Sequence, residues 1–234
     1  MSDKRKHRGA NPQDSLLFSD EKIPALRQAA ADYSELLTKK YPQNASLKLV
    51  GDKFELTDRQ RLALMRSCCA KELAENRKAK QLQHSELAGK ELFIDGYNVL
   101  ITIESALSGA YVFIGNDGCF RDLAGLHGTY RKVSETIPAI SLINSHLSKL
   151  ELSQITWLLD RPVSNSGRLK KIIELHTSSE VILTDNPDVE LKKTQKIVAS
   201  SDSIILDSCK QWFNLAAYVI TQENLPAKIV DLSK

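Results

Sequence analysis

Short apolar runs recur through the second half of the chain, at residues 92–94, 155–159, 181–183, 197–199 and 229–230, with room for a helix in each interval. Runs of this length are too short to be helices buried on all sides, and they read as strands covered on both faces. Strands alternating with helices imply a parallel sheet flanked by helices, an α/β architecture. Every run except the last is closely followed by an aspartate: Asp95, Asp160, Asp185 and Asp202.

The first ninety residues read differently. Residues 24–40 place Ala25, Ala29, Tyr33, Leu36 and Leu37 at spacings near three and four, the period of an amphipathic helix that Tyr41 and Pro42 terminate. A second helix is expected from Thr57, whose hydroxyl can cap the following backbone amides, and its pattern continues toward Lys80. It carries Arg59, Arg61, Arg66, Lys71, Arg77, Lys78 and Lys80. The opening MSDKRKHRG reads as a basic tail. The expected organisation is a basic helical module over residues 1–88 and an α/β domain over 89–234.

Residues 1–90 hold 18 Lys/Arg against 12 Asp/Glu, and the remainder 14 against 17, so a chain of net charge +3 is basic in its first half and acidic in its second. This split suits a polyanion grip beside a cation-binding centre, although a solvated basic surface or a helix bridging two domains would read the same. No apolar run approaches the roughly 18 residues needed to span a membrane, so a cytoplasmic protein is expected. Cys68, Cys69, Cys119 and Cys209 lack metal-ligand spacing and are read as reduced structural thiols.

Four aspartates at the same end of successive parallel strands raise each other's pKa unless a cation neutralises them. Helix capping accounts for one such residue but not for all. Mg²⁺ or Mn²⁺, which take oxygen ligands, would be the economical neutraliser, and metal-assisted attack of water on a phosphodiester is the chemistry best served. Other classes lack their signatures: there is no G-x-x-x-x-G-K-[ST], G-x-G-x-x-G or G-x-S-x-G element, and Tyr97 stands where a haloacid-dehalogenase phosphatase needs a second aspartate.

Further groups carry possible roles. Ser164, Asn165, Ser166 and Gly167 immediately precede a helix, with Arg168 next, a pattern able to receive a substrate phosphate on backbone amides. Residues 108–128 contain an NDG tripeptide between apolar stretches and read as a hairpin or ordered loop; Asp117, Arg121, Asp122 and His127 there form either a lid or a turn network. Glu104 either points at the site from the first helix of the domain or is an ordinary salt-bridged glutamate.

The DGYN element at residues 95–98, with the later Asp-terminated strands, resembles the PIN-like superfamily and in particular its NYN branch of metal-dependent nucleases acting chiefly on RNA. The resemblance covers roughly residues 91–210. Across nearly the whole chain, LKLVGDKFELTDRQR, DGYNVLITIESALSG, DGCFRDLAGLHG and LLDRPVSNSGRLK resemble an uncharacterised microbial family in which a helical domain precedes such a domain. The resemblance implies strand order 3-2-1-4-5, Asp95, Asp160 and Asp202 as metal ligands, and Asn98 as the polar residue following the first of them, expected to orient a ligand or phosphate oxygen. NYN proteins place a further acid after strand three; Asp188 is the expected counterpart, and Asp185 a cap. The expected function is hydrolysis of nucleic acid, RNA above DNA. The alternative is a PIN-like module that binds RNA or a protein partner without cutting.

Overall fold

The computed structural model describes residues 7–126 and 128–234; residues 1–6 of the basic opening and His127 lie outside the described residues. In chain order the elements are α1 (Asp14–Leu17), α2 (Ile23–Thr38), α3 (Gln43–Lys53), α4 (Asp58–Ser67), α5 (Lys71–Lys80), β1 (Gln81–Leu82), β2 (Glu91–Asp95) and α6 (Gly96–Leu107). They continue with β3 (Tyr111–Ile114), β4 (Phe120–Asp122), α7 (Thr136–Leu147), β5 (Gln154–Asp160), α8 (Ser166–His176), β6 (Glu180–Thr184) and α9 (Pro187–Lys193). The last are β7 (Ile197–Ala199), α10 (Ser203–Ser208), β8 (Trp212–Phe213), α11 (Leu215–Gln222) and β9 (Lys228–Asp231).

Six parallel strands form the main sheet in the order β1-β8-β7-β2-β5-β6. Alternation along each strand explains why these segments are apolar without interruption. Leu92, Ile94, Trp157, Leu159, Ile197 and Ala199 enter the core beneath α6, α7, α8 and α11, where Leu100, Ile140, Ile173 and Val219 meet them. Leu158, Val198 and Trp212 face the other way, against Leu191 of α9 and Ile205 and Leu206 of α10.

One expected strand goes elsewhere. Residues 229–230 do fall in a strand, but β9 pairs with β3 in a separate three-stranded sheet, order β4-β3-β9, and the position beyond β7 belongs to β8. Trp212 is fully buried there and its indole Nε1 donates to the Arg77 carbonyl at 2.7 Å. A two-residue strand leaves almost no periodic trace, so the sequence pattern passes over both β8 and β1.

The expected hairpin is present as antiparallel β3 and β4, turning through Gly118 at φ +82°. One face of its sheet, through Phe113 and Val230, shares a core with Leu26, Ala29, Tyr33, Val50 and Leu64 of the helical region. The other face, through Val112 and Phe120, packs on Ala106 and Ile220. The small sheet therefore sits between the N-terminal helices and the main sheet.

The N-terminal region also departs from the sequence reading. A helix over residues 43–53 was not anticipated, and Ala25 is exposed while Leu26 takes its place in the core. The long helix expected from Thr57 breaks at residues 68–70, where Cys68 is extended (ψ 140°). The hairpin tip causes the break: the Asn116 amide N–H donates to the Ser67 carbonyl, and its side chain accepts from Cys69 N at 3.1 Å and donates to Cys69 O at 2.7 Å. Backbone groups that would continue the helix are taken by the tip.

Thr57 does cap α4, in a reciprocal capping box with Gln60. Thr57→Ala removes the side-chain acceptor and is expected to cost about 1 kcal/mol, read as a lower denaturant midpoint with unchanged slope.

Candidate functional site

Parallel pairing brings the carboxyl ends of β2, β5, β6 and β7 to one edge. The chain runs outward from β2 through β5 to β6, then crosses back to β7 on the other side of β2. Strands β2 and β7 thus flank the switch point at which α/β sheets open a crevice. Here a cleft of about 580 Å³ is lined by Asp95, Tyr97, Asn98, Asp188, Ser201 and Asp202, with Arg66, Arg121 and Asp122 among the residues that close it.

Asp95 is the last residue of β2 and precedes α6, yet its side chain makes no capping bond. Its Oδ2 accepts from Ser200 Oγ at 2.7 Å. Burial, joined by the nearby charges of Asp202, Asp188 and Asp160, pushes its carboxyl up to about 7 against the opposing Ser200 hydrogen bond. Capping therefore does not account for Asp95.

Asp202 is in part a cap: Oδ1 accepts from Ile204 N at 2.8 Å and Ile205 N at 3.2 Å, while no hydrogen bond from the described residues occupies Oδ2. Its loop is held from three sides. Ser200 Oγ accepts from Asp202 N at 3.0 Å; Asn98 Oδ1 accepts from Ser201 N at 2.8 Å and Ser201 Oγ at 2.9 Å; Arg121 Nε donates to Ser201 O at 2.8 Å. Asn98, expected to touch ligand, instead spends its carbonyl on this loop and keeps only its amide nitrogen for anything in the cleft. The two serines before Asp202 were not singled out from sequence, although a hydroxyl next to a predicted metal-binding acid was the available signal.

Asp188 lies in the first turn of α9 and lines the cleft. Asp185 is exposed and pairs with Arg161 at 3.4 Å, and Asn186 rather than Asp185 caps α9 by accepting from Val189 N. Asp160, at the end of β5, does not line the cleft; its carboxyl is raised by burial and by Asp188. Tyr97 contributes a buried hydroxyl with no hydrogen-bond partner among the described residues. Among those residues, no three His, Cys, Asp or Glu side chains converge closely enough to bind a metal together.

The Ser164–Arg168 group stands apart from this cleft. Ser164 bridges to Thr129 through the backbone, Asn165 adopts φ +70° and donates to the Tyr130 carbonyl, and buried Ser166 donates to the Arg161 carbonyl. Gly167 and Arg168 are exposed. Turn construction accounts for three of the residues in which a phosphate cradle was expected.

Glu104 is fully buried away from the acidic cleft, accepting from Arg8, Thr136 and Tyr130. Asp117, Arg121 and Asp122 are no lid. Asp117 is 1% exposed between Arg77 (2.7 Å) and Arg121 (2.6 Å), and Asp122 accepts from Thr102 at 2.8 Å.

Most cations of α4 and α5 are likewise committed to partners within the protein. Arg59 pairs with Asp14, Arg61 with Asp52, and Arg77 with Asp117 and Asp207. Lys80 donates to the carbonyls of Leu206, Asp207 and Cys209. Among the described residues, most of the cations that made this segment a candidate nucleic-acid-binding helix are thus held by partners within the protein. All four cysteines are free thiols, and burial raises Cys68 to about 12 and Cys69 to about 11. No helix among the described residues is long and apolar enough to cross a membrane.

Comparison with known proteins matches both parts of the chain. Residues 25–80 match a family described as a protein of unknown function, DUF434. An uncharacterized protein of Methanocaldococcus jannaschii is 31% identical over 189 residues, covering 79% of this chain and 90% of that one. No solved structure matches. Residues 84–218, more than half of the chain and the part that builds the acidic cleft, match the family described as a domain of unknown function, DUF5616, and the chain belongs to that family.

Proposed function

We propose that the protein is a metal-dependent nuclease of the PIN-like, NYN-related type, hydrolysing phosphodiester bonds of RNA. The observation that carries this reading is the electrostatic coupling at the switch point: Asp95 is held near pH 7 by burial and, in part, by the charges of Asp202, Asp188 and Asp160. Such an arrangement is relieved by a cation.

The donor set is all oxygen, as a hard divalent cation requires. Since no three acids converge among the described residues, one or two carboxylates with waters would hold it, a common arrangement for Mg²⁺. Asp95 and Asp202 would be the direct ligands, each with one carboxylate oxygen outside the hydrogen bonds described above. A Mg²⁺ or Mn²⁺ held there would supply Lewis-acid chemistry, polarisation of a phosphoryl oxygen and a lowered pKa for water. Asp188 and Asp160 add negative field, and Asn98 and Arg121 hold the Ser201 loop rigid.

The same lack of a converged triad favours a second reading, a PIN-like module that binds RNA without cutting. Incubating purified protein with labelled single-stranded and structured RNA in Mn²⁺, Mg²⁺ or EDTA separates the two. Metal-dependent cleavage lost in an Asp95→Asn/Asp202→Asn double variant supports the nuclease. Binding without cleavage, retained in the double variant, supports the module.

A further inference from the structure

A second cavity of about 580 Å³ opens between residues 7–11, α4 and residues 123–133. Arg8, Arg59, Arg66 and Arg131 all line it, and no Asp or Glu among the described residues does. Arg66 and Ala124 line this cavity and the acidic cleft alike, so the two adjoin along a common wall.

The carboxylates that partner these arginines lie behind them. Arg8 Nε donates to Glu104 at 2.7 Å, with Arg8 12% exposed and Glu104 0%. Arg59 donates to Asp14, which is 5% exposed where Arg59 is 20%. These acids fix the guanidinium planes, and Nη2 also donates to a carbonyl in each, of Arg131 from Arg8 at 2.6 Å and of Gly9 from Arg59 at 3.1 Å, so that only Nη1 of each makes no hydrogen bond among the described residues. Arg66 differs in where its contacts fall: its Nη1 donates to the carbonyls of Asp122 at 2.6 Å and Ala124 at 3.0 Å and lies 3.6 Å from the Asp122 carboxylate, while Nε and Nη2 bond nothing among the described residues. Those two nitrogens form one edge of the guanidinium, the fork that takes a phosphate bidentately.

We propose that the two cavities are one groove, in which Arg66, flanked by Arg8 and Arg59, binds the backbone phosphates of the strand whose neighbouring linkage lies in the acidic cleft. The inference rests on the reading of that cleft as the place where a nucleic-acid strand is held. It gives the N-terminal helical region a role in substrate binding through one cavity wall rather than through a cationic helix face.

The test is fluorescence anisotropy with a short labelled single-stranded RNA, in EDTA so that nothing is cleaved. Arg66→Met, which keeps an unbranched stem, is expected to weaken binding about tenfold or more, and to flatten the slope of log affinity against log salt by about 0.7 for one phosphate lost. Arg66→Lys should recover part of the affinity but not the bidentate share. Thr129→Glu puts a carboxylate at an exposed lining position whose side chain makes no hydrogen bond among the described residues, so it should weaken binding while the thermal midpoint holds.

Unchanged affinity and salt slope in Arg66→Met and Thr129→Glu, with wild type binding, would overturn the groove. So would thermal protection by inorganic phosphate or adenosine monophosphate that Arg66→Met abolishes, if the RNA itself does not bind: the cavity would then take a small phosphate ligand. Failure of the nuclease reading looks different, as RNA binding that needs Arg66 with no metal-dependent cleavage in wild type.

Discussion

Replacing Asp95 by Asn is expected to abolish metal-dependent cleavage while making the metal-free protein more stable at alkaline pH. The activity loss should reach about 10³-fold or more, since a residue that holds the cation governs several kcal/mol of transition-state stabilisation. The stability gain follows from the pKa. The carboxyl ionises near 7 in the fold against an ordinary value of 3.8, so ionising it disfavours the native state. That penalty is absent below about pH 4, grows between pH 4 and 7, and is complete above 7, where it reaches at most about 4 kcal/mol.

Wild type in EDTA should therefore lose thermal stability between pH 5 and 8 by more than Asp95→Asn does, and Mg²⁺ or Mn²⁺ should raise the wild-type midpoint at pH 8 without moving that of the variant. Differential scanning calorimetry across that range checks both. Equal pH dependence in the two proteins would mean that Asp95 is not held against its neighbours' charge, and the argument for a cation at the switch point would lose its support.

The second large effect is expected at Asp117. This carboxylate, fully buried, is shared by Arg77 from α5 and Arg121 from β4, and Arg121 in turn holds the Ser201 carbonyl beside Asp202. Burial works against its charge, but the hydrogen bonds and charges of Arg121 and Arg77 outweigh it and hold the group well below the usual carboxylate range. Asp117→Ala leaves the buried Arg121 guanidinium without its carboxylate partner and Arg77 with Asp207 alone, and is expected to cost about 3–5 kcal/mol, a drop of roughly 6–20 °C in Tm for a chain of this size. Asp117 stabilises the fold at and above the ordinary carboxylate pKa, and its contribution disappears as pH falls through its depressed folded value, so the wild-type advantage over Asp117→Ala should shrink in strong acid. Asp207→Ala, which removes a partly exposed partner of Arg77, should cost far less.

The strands were legible because both faces of the main sheet are covered: a strand that packs alternate residues into two cores has to be apolar throughout, and Leu92–Phe93–Ile94 is divided between them. The acids were legible for a related reason. In a parallel sheet the residue after each apolar run emerges at the same edge, so Asp95 and Asp160 could be placed there from their positions alone. Preferring Asp188 to Asp185 also agrees with the geometry of the cleft, because Pro187 starts α9 and carries Asp188 into its first turn. Short strands such as Trp212–Phe213 left no comparable trace, and β9 has the apolar pattern of a main-sheet strand without belonging to that sheet.

Charge was the least legible property. Counting lysines and arginines identified a basic half, but it could not tell a solvated cation from one whose partner is distant in sequence. Arg77 meets Asp117 and Asp207 across separations of 40 and 130 residues, and Arg8 meets Glu104 across 96. The helix break at residues 68–70 has the same origin, since it is imposed by Asn116 from a hairpin 47 residues downstream of Cys69. The sequence by itself determined the α/β class, the parallel strands and the acids at their ends, because these follow from periodicity within a few residues. Tertiary structure alone decided which cations are buried in ion pairs, which acids share a cleft, and that an arginine-lined cavity adjoins it, because each depends on contacts between distant segments that no local pattern encodes.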